Sequence, residues 1–167
     1  MNTLALLDRI RADWNTVEPQ LETGPMVTFI TLMRAASVLG DAIGQTAPSA
    51  ALNRQTRDVL FTLYRSAPAT GIPAGELAAL LAVTPASVTS RIDQLVELGF
   101  VTRTLDAEDR RSWRIALTKA GQKAVDEHLP RHLENERTLL SALSAKEVTQ
   151  LEELLRKLIM HAETARE

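Results

Sequence analysis

Apolar residues recur along this chain at two periods, and the change from one to the other outlines the fold. Leu4, Leu7, Ile10, Trp14 and Val17 return every three or four positions, the stripe of an amphipathic helix. Pro19 lies near its end, and Thr23-Gly24-Pro25 opens a second helix that runs to about Gly44. Pro25 falls in the first turn, where its missing N–H is harmless. A loop with Pro48 follows, and Asn53 caps a third helix with Val59, Leu60, Leu63 and Tyr64 as its expected core face. Pro73 starts a short helix with Leu77, Leu80 and Leu81 inward. After a tight turn at Ala82-Val83, Thr84-Pro85 reads as an N-cap followed by proline and begins another helix. That helix should bury Val88, Ile92, Leu95 and Val96 and stop at Gly99, a natural residue just past a helix end.

At Phe100 the period shortens to two. Phe100–Thr104 reads as a strand and Trp113–Leu117 as its partner, with "LDAEDRRS" as the connecting loop. Thr118 caps a long helix through about Leu140, expected to kink at Pro130. Ser144-Ala-Lys-Glu147 fits a capping box and opens a last helix carrying Val148, Leu151, Leu154, Leu155, Leu158 and Ile159. The predicted fold is mostly α with a small β-hairpin wing. Its expected parts are N-terminal helices over 1–48, a winged lobe over 49–117 and C-terminal helices over 118–167.

Composition narrows the class. The 167 residues are 45% hydrophobic and 24% charged, ordinary for a soluble globular chain. Cysteine is absent, which excludes disulfides and thiolate metal sites. Asp8, Arg9 and Arg11 come too early for a signal peptide, and no apolar run is read as approaching the roughly 20 residues of a membrane span. A cytoplasmic protein with no membrane partner is expected. No glycine-rich phosphate loop and no nucleophile in a recognisable setting are present, so an enzyme is not expected and no cofactor is called for. His128 and His132 have a spacing that can bind zinc, but Pro130 lies between them and only Glu127 or Glu136 offers a third ligand. They are read as part of a solvated helix face, with no metal.

Two helices joined by a tight turn and followed by a hairpin make a winged helix-turn-helix. A DNA major groove about 12 Å wide admits one helix, so a reading helix needs short polar residues outward. Ser87, Thr89, Ser90 and Gln94 meet that need, and the small Ala86 lets the backbone approach. The helix start at Thr84–Ser87 can hold a phosphate through free N–H groups. Arg110 and Arg111, at the hairpin tip, can enter the neighbouring minor groove, and Asp106 or Asp109 can hold an arginine fork in a fixed pose. The net charge of −2 hides a mild polarity, since residues 91–123 hold seven basic side chains against five acidic ones. Two other readings stand beside this one: a solvated surface hairpin, and a winged helix that docks protein instead of DNA.

The stretch "ELAALLAVTPASVTSRIDQLVELGFVTRTLDAEDRRSWRIALTKAG" resembles the MarR family of transcriptional regulators. The likeness rests on the Asp109-Arg110-Arg111 wing, on Leu117–Gly121 with its Leu-Thr-x-x-Gly pattern, and on the flanking helices. It covers nearly the whole chain. It implies a homodimer built through N- and C-terminal helices, with two reading lobes on a pseudo-palindromic operator in double-stranded DNA. The apolar stripes of the terminal helices agree, being hard to bury within one lobe. Half-sites about 34 Å apart likewise require two rigidly held reading helices.

A narrower resemblance concerns a ligand. "RADWNTVEPQLETGPM" and "LNRQTRDVLFTLYRSAP" look like the urate-responsive, PecS-like branch of that family. The resemblance implies effector residues at Trp14, Asp58, Arg91 and Arg103. Each suits its task, because an indole face stacks on a flat purine and guanidinium forks match planar oxyanions. The implied device is a repressor released when an anionic ligand recruits Arg91 or Arg103 and repels Asp58. Urate, another purine or a phenolic acid would serve. Arg57 beside Asp58, and Thr104 where related sequences often repeat arginine, depart from the pattern. Structural roles compete with each assignment: Trp14 as core or dimer interface, Asp58 as partner of Arg54 or Arg57, and Arg91 and Arg103 as phosphate contacts. A DNA-binding protein that answers to no ligand is the corresponding alternative.

Overall fold

The computed structural model describes residues 2–45, 52–106 and 112–165, and among them it has seven helices and three short strands. Residues 1–45 and 46–167 form two compact units. In the first, α1 (Thr3–Val17) begins where the Asn2 side chain accepts from the Ala5 N–H at 2.8 Å. It packs on α2 (Gly24–Gly44), whose first turn holds Pro25. Leu7 and Val27 are buried, whereas Leu4, Val17, Phe29 and Met33 are exposed. The expectation that no run approaches a membrane span needs correction: α2 is long and apolar enough to cross one by length and composition. Its apolar residues surround the helix more fully than the period suggests, with Arg34 the lone basic interruption.

The second unit begins with α3 (Arg54–Ser66), where the Asn53 carboxamide accepts from the N–H groups of Gln55 and Thr56. Next come β1 (Ile72–Pro73), α4 (Ala74–Leu80) and α5 (Pro85–Glu97). β2 (Val101–Leu105), β3 (Trp113–Leu117), α6 (Lys119–Leu140) and α7 (Ala145–Thr164) complete it. The sheet is antiparallel in the order β1-β3-β2, three strands where a two-stranded hairpin was expected. The added strand is held by register with a distant segment, Ile72 opposite Ile115 and Pro73 opposite Arg114. Gly71 makes this approach possible, because its φ of +79° suits glycine and a Cβ there would collide with the Ile115 carbonyl.

The core joins α3, α4, α5, the sheet and α6 through Val59, Leu60, Leu63, Leu77, Val88, Ile92, Leu95, Val101, Ile115 and Val125. Three residues expected inside lie outside. Tyr64 turns its ring out so that its hydroxyl can donate to Asp126 at 2.8 Å. Leu80 and Val96 stand at the ends of α4 and α5, past the reach of the packed stripe, and are exposed.

The α6 helix starts at Thr118, whose hydroxyl accepts from the Gly121 N–H, and it continues through Pro130. His128 and His132 are 6% and 9% exposed, which corrects the solvated face expected of them. Their reason is positional: Gly121, Val125, His128 and His132 form the inward stripe of α6, and both imidazoles pack on Phe61 of α3. The Ser144–Glu147 capping box forms at the start of α7, and none of that helix's 20 residues is buried.

Candidate nucleic-acid interface

The helix-turn-helix is α4 and α5 with a turn at Ala82, which takes a φ of +51°. Thr84 caps α5, its hydroxyl oxygen accepting from the Ser87 N–H at 3.3 Å. Pro85 opens the helix and has no N–H, while Val88 donates to the Thr84 carbonyl. Of the first-turn donors proposed for a phosphate, Ala86 therefore keeps its N–H and Ser87 does not. Thr84, Ala86, Thr89 and Ser90 are exposed, and Ser87 and Gln94 are half-buried at the edges of the same face. The Thr89 hydroxyl donates back to the Pro85 carbonyl at 2.9 Å. This is an open surface of small polar side chains with one carboxylate, Asp93, among them, and Val88, Ile92 and Leu95 anchor the opposite side of α5.

Arg110, Arg111 and Asp109 lie outside the described residues. The root of the wing is described, and an arginine closes it. Arg114 donates to Asp106 at 2.9 Å and to the Gly71 carbonyl at 2.6 Å, with a longer contact to the Thr70 carbonyl. Asp106 thus holds an arginine fork as expected of its chemistry, but the fork belongs to β3. The signal was in the sequence, since Arg114 precedes Ile115 on a strand and so must point to the face opposite the core.

Of the four residues expected to meet an effector, Asp58, Arg91 and Arg103 belong to the second unit, and Arg103 has partners of its own there. Asp58 is half-buried on α3, and the charges that bear on it come from Arg57, Arg54, Arg91 and His132. Burial raises its carboxyl above the ordinary range, and those cations pull it part of the way back. Arg91 carries a buried Nε with no hydrogen-bond partner among the described residues. Arg57, which the sequence marked only as a departure, is 2% exposed and is the largest fully buried side chain. Desolvation lowers its guanidinium from the usual value, with Asp58 and Glu136 opposing. Arg103 stands elsewhere. It donates to Asp93 of α5 at 3.1 Å, and its guanidinium carbon lies 4.8 Å from the centre of the Trp113 ring. Trp14 is half-buried on α1, in the other unit. Among the described residues no group of three or more His, Asp or Glu side chains is placed to hold a metal.

An exposed polar helix beside a three-stranded wing defines a winged helix-turn-helix DNA-binding protein. A family model described as "MarR family" matches residues 52–112. The chain is 31% identical over 148 residues to the HTH-type transcriptional regulator PecS of Dickeya dadantii (strain 3937), a match covering 89% of each chain. It is also similar to S. aureus MepR, solved as a DNA complex, at 26% identity and a TM-score of 0.71 over 80% of this chain and 97% of that one. CouR from Rhodococcus jostii RHA1, solved bound to p-coumaroyl-CoA, is similar at 25% identity and a TM-score of 0.65 over 77% and 88% of the two chains. The chain belongs to the MarR family of transcriptional regulators; it binds DNA and is not an enzyme.

Proposed function

We propose that this regulator works in the cytoplasm as a homodimeric repressor on a pseudo-palindromic operator and is released by a small anionic, aromatic ligand. The observation that carries the dimer is α7: Leu151, Leu154, Leu158 and Ile159 form an uncovered apolar stripe on a helix with no buried residue. In the first unit, Phe29, Met33, Val38 and Leu39 on α2 are exposed as well and offer a second copy further apolar surface. Within each lobe, Thr84, Ala86, Ser87, Thr89, Ser90 and Gln94 read the major groove. Arg110 and Arg111 reach the minor groove, and Asp106 and Asp109 support the wing.

Trp14, Asp58, Arg91 and Arg103 are the effector residues of this reading, with urate, another purine or a phenolic acid as ligand. Support comes from Arg91 acting on a carboxyl of raised pKa while one of its own donors is unused. An anion accepting from that donor would weaken the hold of Arg91 on Asp58 and shift the helix that reads DNA. A hundredfold loss of operator affinity needs a coupling of only about 2.7 kcal/mol, within reach of one or two charge-assisted contacts. The test is a melting-shift screen of urate and phenolic acids, followed by titration of any stabilising compound into a preformed complex with the protein's own upstream DNA. Release by wild type and not by Trp14→Ala supports the reading. Stabilisation by none of them overturns the effector part, and no sequence-dependent gel retardation overturns the operator part.

A further inference from the structure

The wing sheet has an inner face made of three opposed pairs: Val101 with Leu117, Arg103 with Ile115, and Leu105 with Trp113. Val101 and Ile115 are buried in the core, and past them the same face runs out beyond it. Arg103 is the first side chain at that edge. It is diagonal to Trp113 across the ladder, a separation long side chains bridge. Its guanidinium lies over the indole and its Nη1 reaches Asp93 on α5. Asp93 is three residues from Ser90 and four from Thr89, so it stands among the side chains that face the groove.

This pair is too open to be a stability device. The Arg103 and Asp93 side chains are 35% and 55% exposed, and exposed ion pairs contribute little to folding. What it does supply is geometry. A guanidinium that lies over the indole of the wing and also donates to Asp93 joins the wing to the reading helix through one side chain. The only other polar link from the wing face to the lobe among the contacts described above, Arg114, anchors the opposite face of the sheet to residues 70–71. Arg103 thus adds a side-chain link from the outer end of the wing to the reading helix, beyond the core contacts of Val101 and Ile115 with Val88, Ile92 and Leu95 that hold the base of the sheet on α5.

We infer that Arg103 is a positioning residue for DNA recognition: stacked on Trp113 and paired with Asp93, it sets the distance between the reading helix and the wing, and with it the selectivity for one sequence over another. The inference goes beyond the effector role proposed for Arg103, since it concerns the protein without a ligand. Phosphate contacts hold a protein on any duplex, whereas base contacts in two neighbouring grooves demand a fixed spacing between the elements that make them. Loss of the strut should then lower selectivity and spare general affinity.

The experiment uses the full-length protein, a duplex enriched by the wild type from a random pool, and a scrambled duplex of the same composition. Asp93→Asn and Trp113→Leu should each reduce the ratio of affinities for the two duplexes about tenfold, with scrambled-duplex affinity changed less than about twofold. Because both act through Arg103, the double variant and Arg103→Gln should be no worse than either single change. In a Trp14→Phe background Trp113 is the remaining tryptophan, and Asp93→Asn should make it more accessible to acrylamide without any DNA present. Additive effects would overturn the inference and make Asp93 a direct base contact. So would an unchanged ratio, an equal loss on both duplexes, or unaltered quenching. A wild type that enriches no sequence would instead fail the operator reading, and the quenching result would still decide whether the strut exists.

Discussion

Arg114 and Asp106 close the root of the wing, with Nη1 2.9 Å from the carboxylate and the other fork nitrogen on the Gly71 carbonyl. The two sides of the hairpin, at the end of β2 and the start of β3, meet the distant approach to β1 at this one guanidinium. Arg114→Ala should destabilise the protein by about 2 kcal/mol, since hydrogen bonds to charged groups are worth more than neutral ones. Arg114→Lys should recover only part of it, having no fork to divide between a carboxylate and a carbonyl. Urea denaturation of the two variants measures this.

Glycine to alanine inside a helix ordinarily stabilises by about 1 kcal/mol. Gly121 of α6 should do the reverse. A Cβ there would fall on the Phe100 carbonyl, where the helix passes the start of the wing, and neither backbone can yield freely. Gly121→Ala should cost about 1–3 kcal/mol as an overpacked contact, whereas Gly75→Ala, with open space around it, should not. Melting midpoints of the two variants give the comparison.

His128 and His132 are held below the ordinary histidine range, chiefly by burial and then by the Arg57 guanidinium, while Glu136 and Asp58 pull His132 the other way. A base with a folded pKa below its unfolded one stays neutral in the native state while the unfolded chain takes up the proton. Stability is therefore undiminished above about pH 6.5, falls as the pH drops below that value, and stops falling once the folded pKa is passed. Asp58, raised by burial, works in the opposite sense but nearer the carboxylate range. Urea midpoints should decline from about pH 7.5 to about pH 5.5 in the wild type and decline less in a His128→Gln, His132→Gln variant. Equal slopes would show that the imidazoles are not the responsible groups.

A charge in the uncovered stripe of α7 should prevent association. Leu154→Glu is expected to weaken the proposed homodimer at least about a hundredfold, which is roughly 2.7 kcal/mol, with the monomer's fold intact. Light scattering across a dilution series, beside circular dichroism, would read both properties. An unaltered dimer would move the interface away from this helix.

What the sequence made legible was local. Asn53, Thr84, Thr118 and Ser144 each cap the helix they were expected to cap, because a cap needs only residues within one turn. β3 spans the expected residues, since alternation declares itself in five positions. β1 escaped because two residues carry no period and their pairing depends on Ile115, far along the chain. The histidines were misread for their polarity, although their spacing from Val125 already placed them on the inner stripe of α6. In the candidate site, the exposed face of α5 followed from periodicity alone. The partners of Arg103 and Arg114 did not, because an arginine's reach spans several neighbours and sequence does not say which one it meets.

With Pro85 lacking a donor and Ser87 spending its own on Thr84, the backbone at the start of the reading helix offers little grip on a phosphate. Attraction to the duplex must come from long basic side chains, and every cation they displace from DNA returns to the medium. Occupancy of its DNA by this protein should then fall as the concentration of monovalent salt rises.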